Sequence, residues 1–202
     1  MSTNETTPFQ VTATDGNGTP YAGSPFTISA ATPISFTIGT GQPTKMFLSL
    51  SDVNTVVSGK GVLLQGTKDF YVSFRMRNSN HAETIISKGK PGIGTSFRLG
   101  CLINEDQDSR KNFVASVMAT ENNTTVTLSD YNTGVIFSSG TGNITADTQT
   151  FTLNAGQCIV FTGYSNVTAN LDGIIGGLIT SNKPVAVNTG NALGGIDNGR
   201  AD

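Results

Sequence analysis

The sequence predicts an all-β protein made of two tandem β-sandwich-like modules, related by an internal repeat of 115 residues. Three observations carry this prediction. Apolar and polar residues alternate with a period of two through most of the chain, as strands with one buried face require. Clusters of Gly, Asn, Asp and Pro interrupt that alternation at roughly 8–12-residue intervals, the spacing of a sandwich or barrel. Sliding the chain along itself by 115 residues aligns three blocks without a gap. Val11-Thr12 with Asp15-x-Asn17 falls on Val126-Thr127 with Asp130-x-Asn132. Phe36-Thr37 with Gly41-Gln42 falls on Phe151-Thr152 with Gly156-Gln157. Gly61, Leu63, Lys68 and Val72 fall on Gly176, Leu178, Lys183 and Val187.

The elements follow in order. Residues 9–14, FQVTAT, form a strand that ends at the turn Asp15-Gly-Asn17-Gly18. A strand restarts within 21–29, where Pro25 marks an edge or a break. Residues 34–38, ISFTI, alternate as a further strand. Residues 51–60 are a polar loop. Strands at 61–65 and 70–76 follow, the latter turning Phe70, Val72, Phe74 and Met76 to one side. Residues 83–87 and 95–103 add strands around a glycine-rich loop. Residues 113–119 and 124–128 read as a hairpin across Glu121-Asn-Asn123. The second copy continues with strands at 134–137, 148–153, 157–162, 174–180 and 185–188. No stretch has helical periodicity.

This gives a first β module at 1–87, a connecting loop and strand at 88–112, and a second module at 113–202. The strand at 113–119 has no counterpart before residue 9, and the strand at 95–103 has none after residue 202. The first module is therefore read as truncated at its N-terminus and the second at its C-terminus. An exchange in which strands 95–119 serve both modules is expected.

Composition narrows the function. Charged residues make up 13% of the chain and the net charge is −2, so there is no basic stripe for nucleic acid. No apolar run reaches the ~20 residues of a membrane-spanning helix, which argues against direct membrane insertion. Abundant Gly, Thr, Ser and Asn with no Trp suit an extracellular β protein. The sole histidine, His81, lies in a polar loop beside Ser79, and no nucleophile elbow surrounds any serine. The four glutamates sit in loops without an acid–base pairing. The sequence is therefore read as non-enzymatic. Cys101 and Cys158 are compatible with a disulfide in an oxidising compartment, but two separate buried thiols are the favoured reading.

Calcium is the one ion the sequence suggests. Asp15 with Asn17, and Asp130 with Asn132, place oxygen ligands at alternate residues of the same repeat position. The 104–108 loop, NEDQD, is a further candidate. The competing reading is that Asp and Asn stand there as turn formers that bond their own backbone. Tyr21, Tyr71, Tyr131 and Tyr164 are the aromatics a carbohydrate site would use.

Three segments carry a resemblance: Ser87–Gly100 (SKGKPGIGTSFRLG), Asn112–Leu128 and Leu171–Asn188. They resemble the domain family named after the N-terminal region of the IgG-Fc-binding protein, most of all its bacterial members. The resemblance covers roughly residues 55–202. It implies an extracellular all-β module of large, multidomain, adhesin-like proteins of Bacteroidetes, many exported by type IX secretion. It implies no catalytic residues. The expected role is adhesion or binding, with host or environmental glycans or proteins and neighbouring domains as partners. The alternatives are a carbohydrate-binding module and a structural spacer without ligand.

Overall fold

In the computed structural model, which describes residues 1–41, 44–46, 48–77 and 82–195, the alternating segments become thirteen strands. No α-helix occurs among the described residues. The strands fall into two units. The first comprises Met1–Phe47 and Gly59–Gly92, the second Leu48–Ser58 and Ile93–Asp202.

In the first unit, β1 (Phe9–Thr14) lies between β2 (Phe26–Ile28) and β3 (Leu63–Gly66), antiparallel to both. The FQVTAT sequence turns Phe9, Val11 and Ala13 inward and leaves Gln10 and Thr12 exposed. Phe9, Val11 and Ile28 form the core, with Ile34, Leu64 and Phe70 packed around it. β4 (Ser73–Arg77) and β5 (Ala82–Ile86) form a separate antiparallel pair. Just before β4, Tyr71 bridges Ser2 through two backbone hydrogen bonds of 2.7 and 3.0 Å.

Residues 34–38 do not form the strand their alternation predicts. The edge of β1 they would pair with is occupied by β2, through Phe9–Ile28 and Val11–Phe26. Phe36 instead stacks on Phe26, ring centroids 4.8 Å apart.

The second unit contains β6 (Ile93–Arg98), β7 (Asp108–Ala119), β8 (Thr124–Ser129), β9 (Phe137–Ser139), β10 (Gly142–Ile144), β11 (Gln149–Leu153), β12 (Cys158–Ser165) and β13 (Leu178–Gly190). The main sheet runs β11-β8-β13-β7-β12, with β6 also on β13. β7 and β8 therefore do not form the expected hairpin. β13 pairs with β8 over Leu178–Ser181 and with β7 over Val185–Gly190. It changes partner at Asn182-Lys183-Pro184, where its pairing with β6 also slips register. A strand that turns a corner in this way can serve two sheet layers. The segments 174–180 and 185–188, read as separate strands, are joined in this one element. β6 and β7 both pair inside the second unit, so their described ladders are not shared between units.

One core fills the second unit. Phe113, Ala115, Val117 and Ala119 of β7 face Val126 and Leu128 of β8, Leu153, Ile159, Phe161, Ile179 and Val185. Phe137 sits among them in edge contacts with Phe113, Tyr131 and Phe161 at 5.6, 5.0 and 6.3 Å. Each buried phenylalanine contributes about 2–3 kcal/mol through apolar burial. The polar stretch 48–58 also belongs here. Val57 and Cys158 exchange backbone hydrogen bonds of 2.9 and 3.0 Å, and Asn54 donates to Gln149 Oε1 at 2.8 Å.

Within each unit the same offset recurs. β1 pairs with β3 at Val11–Gly66, Thr12–Gln65, Ala13–Leu64 and Thr14–Leu63. β8 pairs with β13 at Val126–Ser181, Thr127–Thr180, Leu128–Ile179 and Ser129–Leu178. A shift of 115 residues carries every pair of the first set onto the second. The left-handed glycines follow suit: Gly41 and Gly156 both have φ of 77°, and Gly61 and Gly176 have 77° and 83°. A side chain is disfavoured at φ of this sign, so glycine is needed at both places.

Candidate recognition surface

One loop surface of the second unit is made by residues 120–123, 154–157 and 181–184. Asn123 closes the first loop at φ 56°, a left-handed conformation that asparagine tolerates. Side-chain amides then tie the loops together. Asn122 Oδ1 accepts from the Ala155 N–H (3.1 Å), and Asn154 Oδ1 accepts from the Asn123 N–H (3.2 Å). Asn182 Oδ1 accepts from the Thr125 N–H at 2.8 Å, and the Lys183 ammonium donates to the Asn122 carbonyl at 2.7 Å. Gln157 accepts from the Asn154 N–H and donates to Ser58 Oγ. Glu121, Asn122, Asn123, Asn154 and Ala155 remain exposed. The loops thus present a polar surface whose shape is set before any partner arrives, which lowers the entropic cost of binding.

The residues considered for calcium are placed differently in the two units. Asp15 is buried, with 1% of its surface exposed. Its Oδ1 accepts the N–H groups of Asn17 (2.8 Å) and Thr19 (3.0 Å), and the Lys45 ammonium stands 3.2 Å from Oδ2 as an ion-pair partner. Among the described residues that oxygen has no other polar partner. Asn17 itself is exposed. Asp130 adopts φ 58° and pairs with Arg98 at 2.9 Å. Asn132 is exposed and donates its N–H to the Gly173 carbonyl. In the 104–108 loop, Asp106 pairs with Lys111 and Asp108 with Arg110. The Arg110 side chain and then its N–H hold the Asp108 carboxyl at about 2. No cluster of three His, Cys, Asp or Glu side chains suited to a metal occurs among the described residues. The donor set at Asp15 fits a turn locked by a cation from the chain itself; a calcium ion would have to displace Lys45.

Burial pushes the Asp15 carboxyl up, but the N–H groups of Thr19 and Asn17 and the Lys45 ammonium outweigh it, so its pKa lies below the usual 3.8. A carboxyl held low in the folded state stabilises fully above its unfolded pKa and loses that contribution as pH falls through the folded value. The first unit should therefore weaken as pH drops below about 4. Asp15→Asn should cost about 1–3 kcal/mol at pH 7 and flatten this acid limb. Thermal melts from pH 7 to 2 check both statements. Melts in calcium and in chelator should coincide, and a calcium-dependent rise would restore the ion to this turn.

The other candidates are placed as follows. Ser79 and His81 lie outside the described residues. The Cys101 thiol is free and half-buried, and burial, followed by the charge of Asp172, pushes it up to about 11. Cys158 is buried in β12. Tyr21 donates to the Gly61 carbonyl, and Tyr131 donates to the Ala146 carbonyl while resting on Phe137. Tyr164 is half-buried, and Tyr71 alone of the four is largely exposed, at 62%. A shallow cleft of about 280 Å³ is lined by Asp15, Tyr21, Ile38 and Lys45. The amide-tied loops escaped sequence reasoning. Their only signal was the density of asparagine, whose partners lie in other loops.

Fold and site together define an all-β domain that presents fixed polar loops. The chain belongs to the IgGFc-binding family: the family model described as IgGFc binding protein matches residues 82–202, more than half of the chain. The segments Ser87–Gly100, Asn112–Leu128 and Leu171–Asn188 fall within that match. No curated protein and no solved structure matches the chain significantly. No helix among the described residues is long and apolar enough to cross a membrane.

Proposed function

We propose that this chain is a non-enzymatic binding module of a large secreted or surface protein of bacterial type, built from a duplicated β unit, and that it engages a protein partner outside the cell. The observation that carries this reading is the end of the second unit, where side-chain amides fix three loops as one polar surface inside the family's matched region. The identical pairing registers of β1–β3 and β8–β13 support the duplication. The family description makes IgG Fc the first protein to test. Of the four tyrosines only Tyr71 is largely exposed, which weakens the carbohydrate alternative.

Surface plasmon resonance over immobilised IgG Fc, mucin and a glycan panel tests the proposal. Saturable binding to a protein ligand is expected, weakened roughly tenfold by Glu121→Lys with Ala155→Arg, which add bulk and reverse a charge at the rim without removing an amide tie. Binding to glycans alone would favour the carbohydrate reading. No binding to any of the three would favour a spacer, and binding untouched by the loop substitutions would move the site elsewhere.

A further inference from the structure

In the first unit, β4 has one hydrogen-bonded edge and one open edge. The Ser87 N–H donates to the Val72 carbonyl at 3.1 Å, and the β4–β5 register continues from that pair. Antiparallel residues alternate between bonded and non-bonded sites, so the backbone groups of Phe74 and Met76 face β5. Those of Ser73, Arg75 and Arg77 point the other way. Tyr71 confirms the direction, because its N–H and carbonyl are used by Ser2 on that same side. Beyond Ser2 the edge has no strand partner among the described residues, and Ser73, Arg75 and Arg77 are all exposed. In the second unit the stretch at the same offset, Asn188–Gly190 of β13, is covered by β7 through Asn188–Ser116 and Gly190–Val114. The Ser73–Arg75 part of this edge is therefore one that the related unit closes with an antiparallel strand.

Side chains along this edge select the occupant. Arg75 and Arg77 share one face, and their cross-strand neighbours on β5 are Thr84 and Ala82, which do not neutralise them. No ion pair holds either guanidinium among the described residues. Phe74 and Met76 share the other face, with Met76 52% exposed. A second copy of β4 would oppose arginine to arginine, which destabilises a cross-strand pair. That charge arrangement guards the edge against self-association. It favours an incoming strand with acidic residues at alternate positions and apolar residues between them.

We propose that the β4 edge is a strand-addition site. Its partner is an extended acidic–apolar segment of another protein, bound antiparallel along Ser73–Arg77 with carboxylates over Arg75 and Arg77. Main-chain hydrogen bonds supply affinity and the two arginines set specificity, as in other strand-addition complexes.

Fluorescence anisotropy with two labelled peptides, TVEVEVT and TVKVKVT, tests this on the whole chain. The acidic peptide should bind in the micromolar range, and the lysine peptide roughly tenfold or more weakly, given two charge pairs. In Arg75→Glu with Arg77→Glu the preference should reverse. Ser73→Pro removes an N–H from the open edge without touching the β5 ladder, and it should abolish binding of both peptides. Equal binding of the two peptides, no binding of either, or acidic-peptide binding that survives both variants would overturn the proposal. The site lies in the first unit, so its failure leaves the loop surface of the second unit untouched.

Discussion

Asp106→Ala should destabilise the second unit by about 3 kcal/mol, whereas Lys111→Met should change it by about 1 kcal/mol or less. Lys111 stands at the end of the inward row Phe113, Ala115, Val117 and Ala119 of β7, and none of its surface is exposed. Its ammonium meets the Asp106 carboxylate, which keeps 23% of its side chain in solvent. A buried pair recovers its desolvation cost only while both partners remain. Removing the carboxylate takes a charge partner from a fully buried ammonium, but replacing lysine by methionine keeps the aliphatic stem and dispenses with the charge. The remaining Asp106 can turn to water because it is partly exposed. Urea unfolding followed by circular dichroism, with hydrogen exchange at β7 amides to assign the loss to the second unit, separates the two variants. Equal losses would show that the ammonium has a role beyond neutralising its partner.

What the sequence showed depended on how far away the physical partner lay. Alternation in residues 9–14, 124–128 and 148–153 was legible because one buried face imposes a period of two whichever strand lies alongside. Choice of neighbour was not legible. Residues 34–38 alternate as well as any strand, yet β2 takes the edge of β1 they needed. Residues 113–119 and 124–128 satisfy every local requirement of a hairpin, yet β13 from far along the chain pairs with both. Residues 51–58 look like a polar loop because their bonds are made by backbone groups and by Asn54, which hydropathy does not register. The repeat offset could be read because duplicated turns keep their glycines and Asx residues at fixed spacing. The candidate site shows the same division. Asp15 and Asn17 were recognisable as turn or ligand residues, but the choice between those roles rests on Lys45, which the motif does not contain. The amide ties among Asn122, Asn154 and Asn182 join three separate loops, and abundance of asparagine does not reveal which amide meets which backbone.

Asn170→Ala should also cost the second unit about 3 kcal/mol, and Gly163→Ala about as much, with the two effects coupled. Asn170 is buried, and its amide acts as a short substitute for a neighbouring strand. Oδ1 accepts the Ile136 N–H at 2.9 Å, while Nδ2 donates to the Ile136 carbonyl at 2.9 Å and the Tyr164 carbonyl at 2.7 Å. This latch holds the segment between Val135 and Phe137, both buried in the core, against β12. Alanine would leave the Ile136 N–H and carbonyl and the Tyr164 carbonyl without their partner in a part-buried region, the costly side of hydrogen-bond energetics. Asn170→Asp should be no better, because a carboxylate oxygen would face two carbonyls where an N–H₂ now donates. Gly163 makes the approach possible. A Cβ there would stand 2.4 Å from the Ile136 carbonyl oxygen, 2.7 Å from Phe113 Cζ and 2.8 Å from Asn170 Nδ2. The backbone oxygen cannot swing aside as a side chain could, so Ile136 must move and the Asn170 bonds stretch with it. Once Asn170 is alanine, part of that damage has already been done. The double variant should therefore fall short of the sum of the single losses by more than about 0.5 kcal/mol. Chemical denaturation of the four proteins in the cycle measures this. Strict additivity would mean that Gly163 and Asn170 stabilise separate contacts and that the latch does not act as a unit.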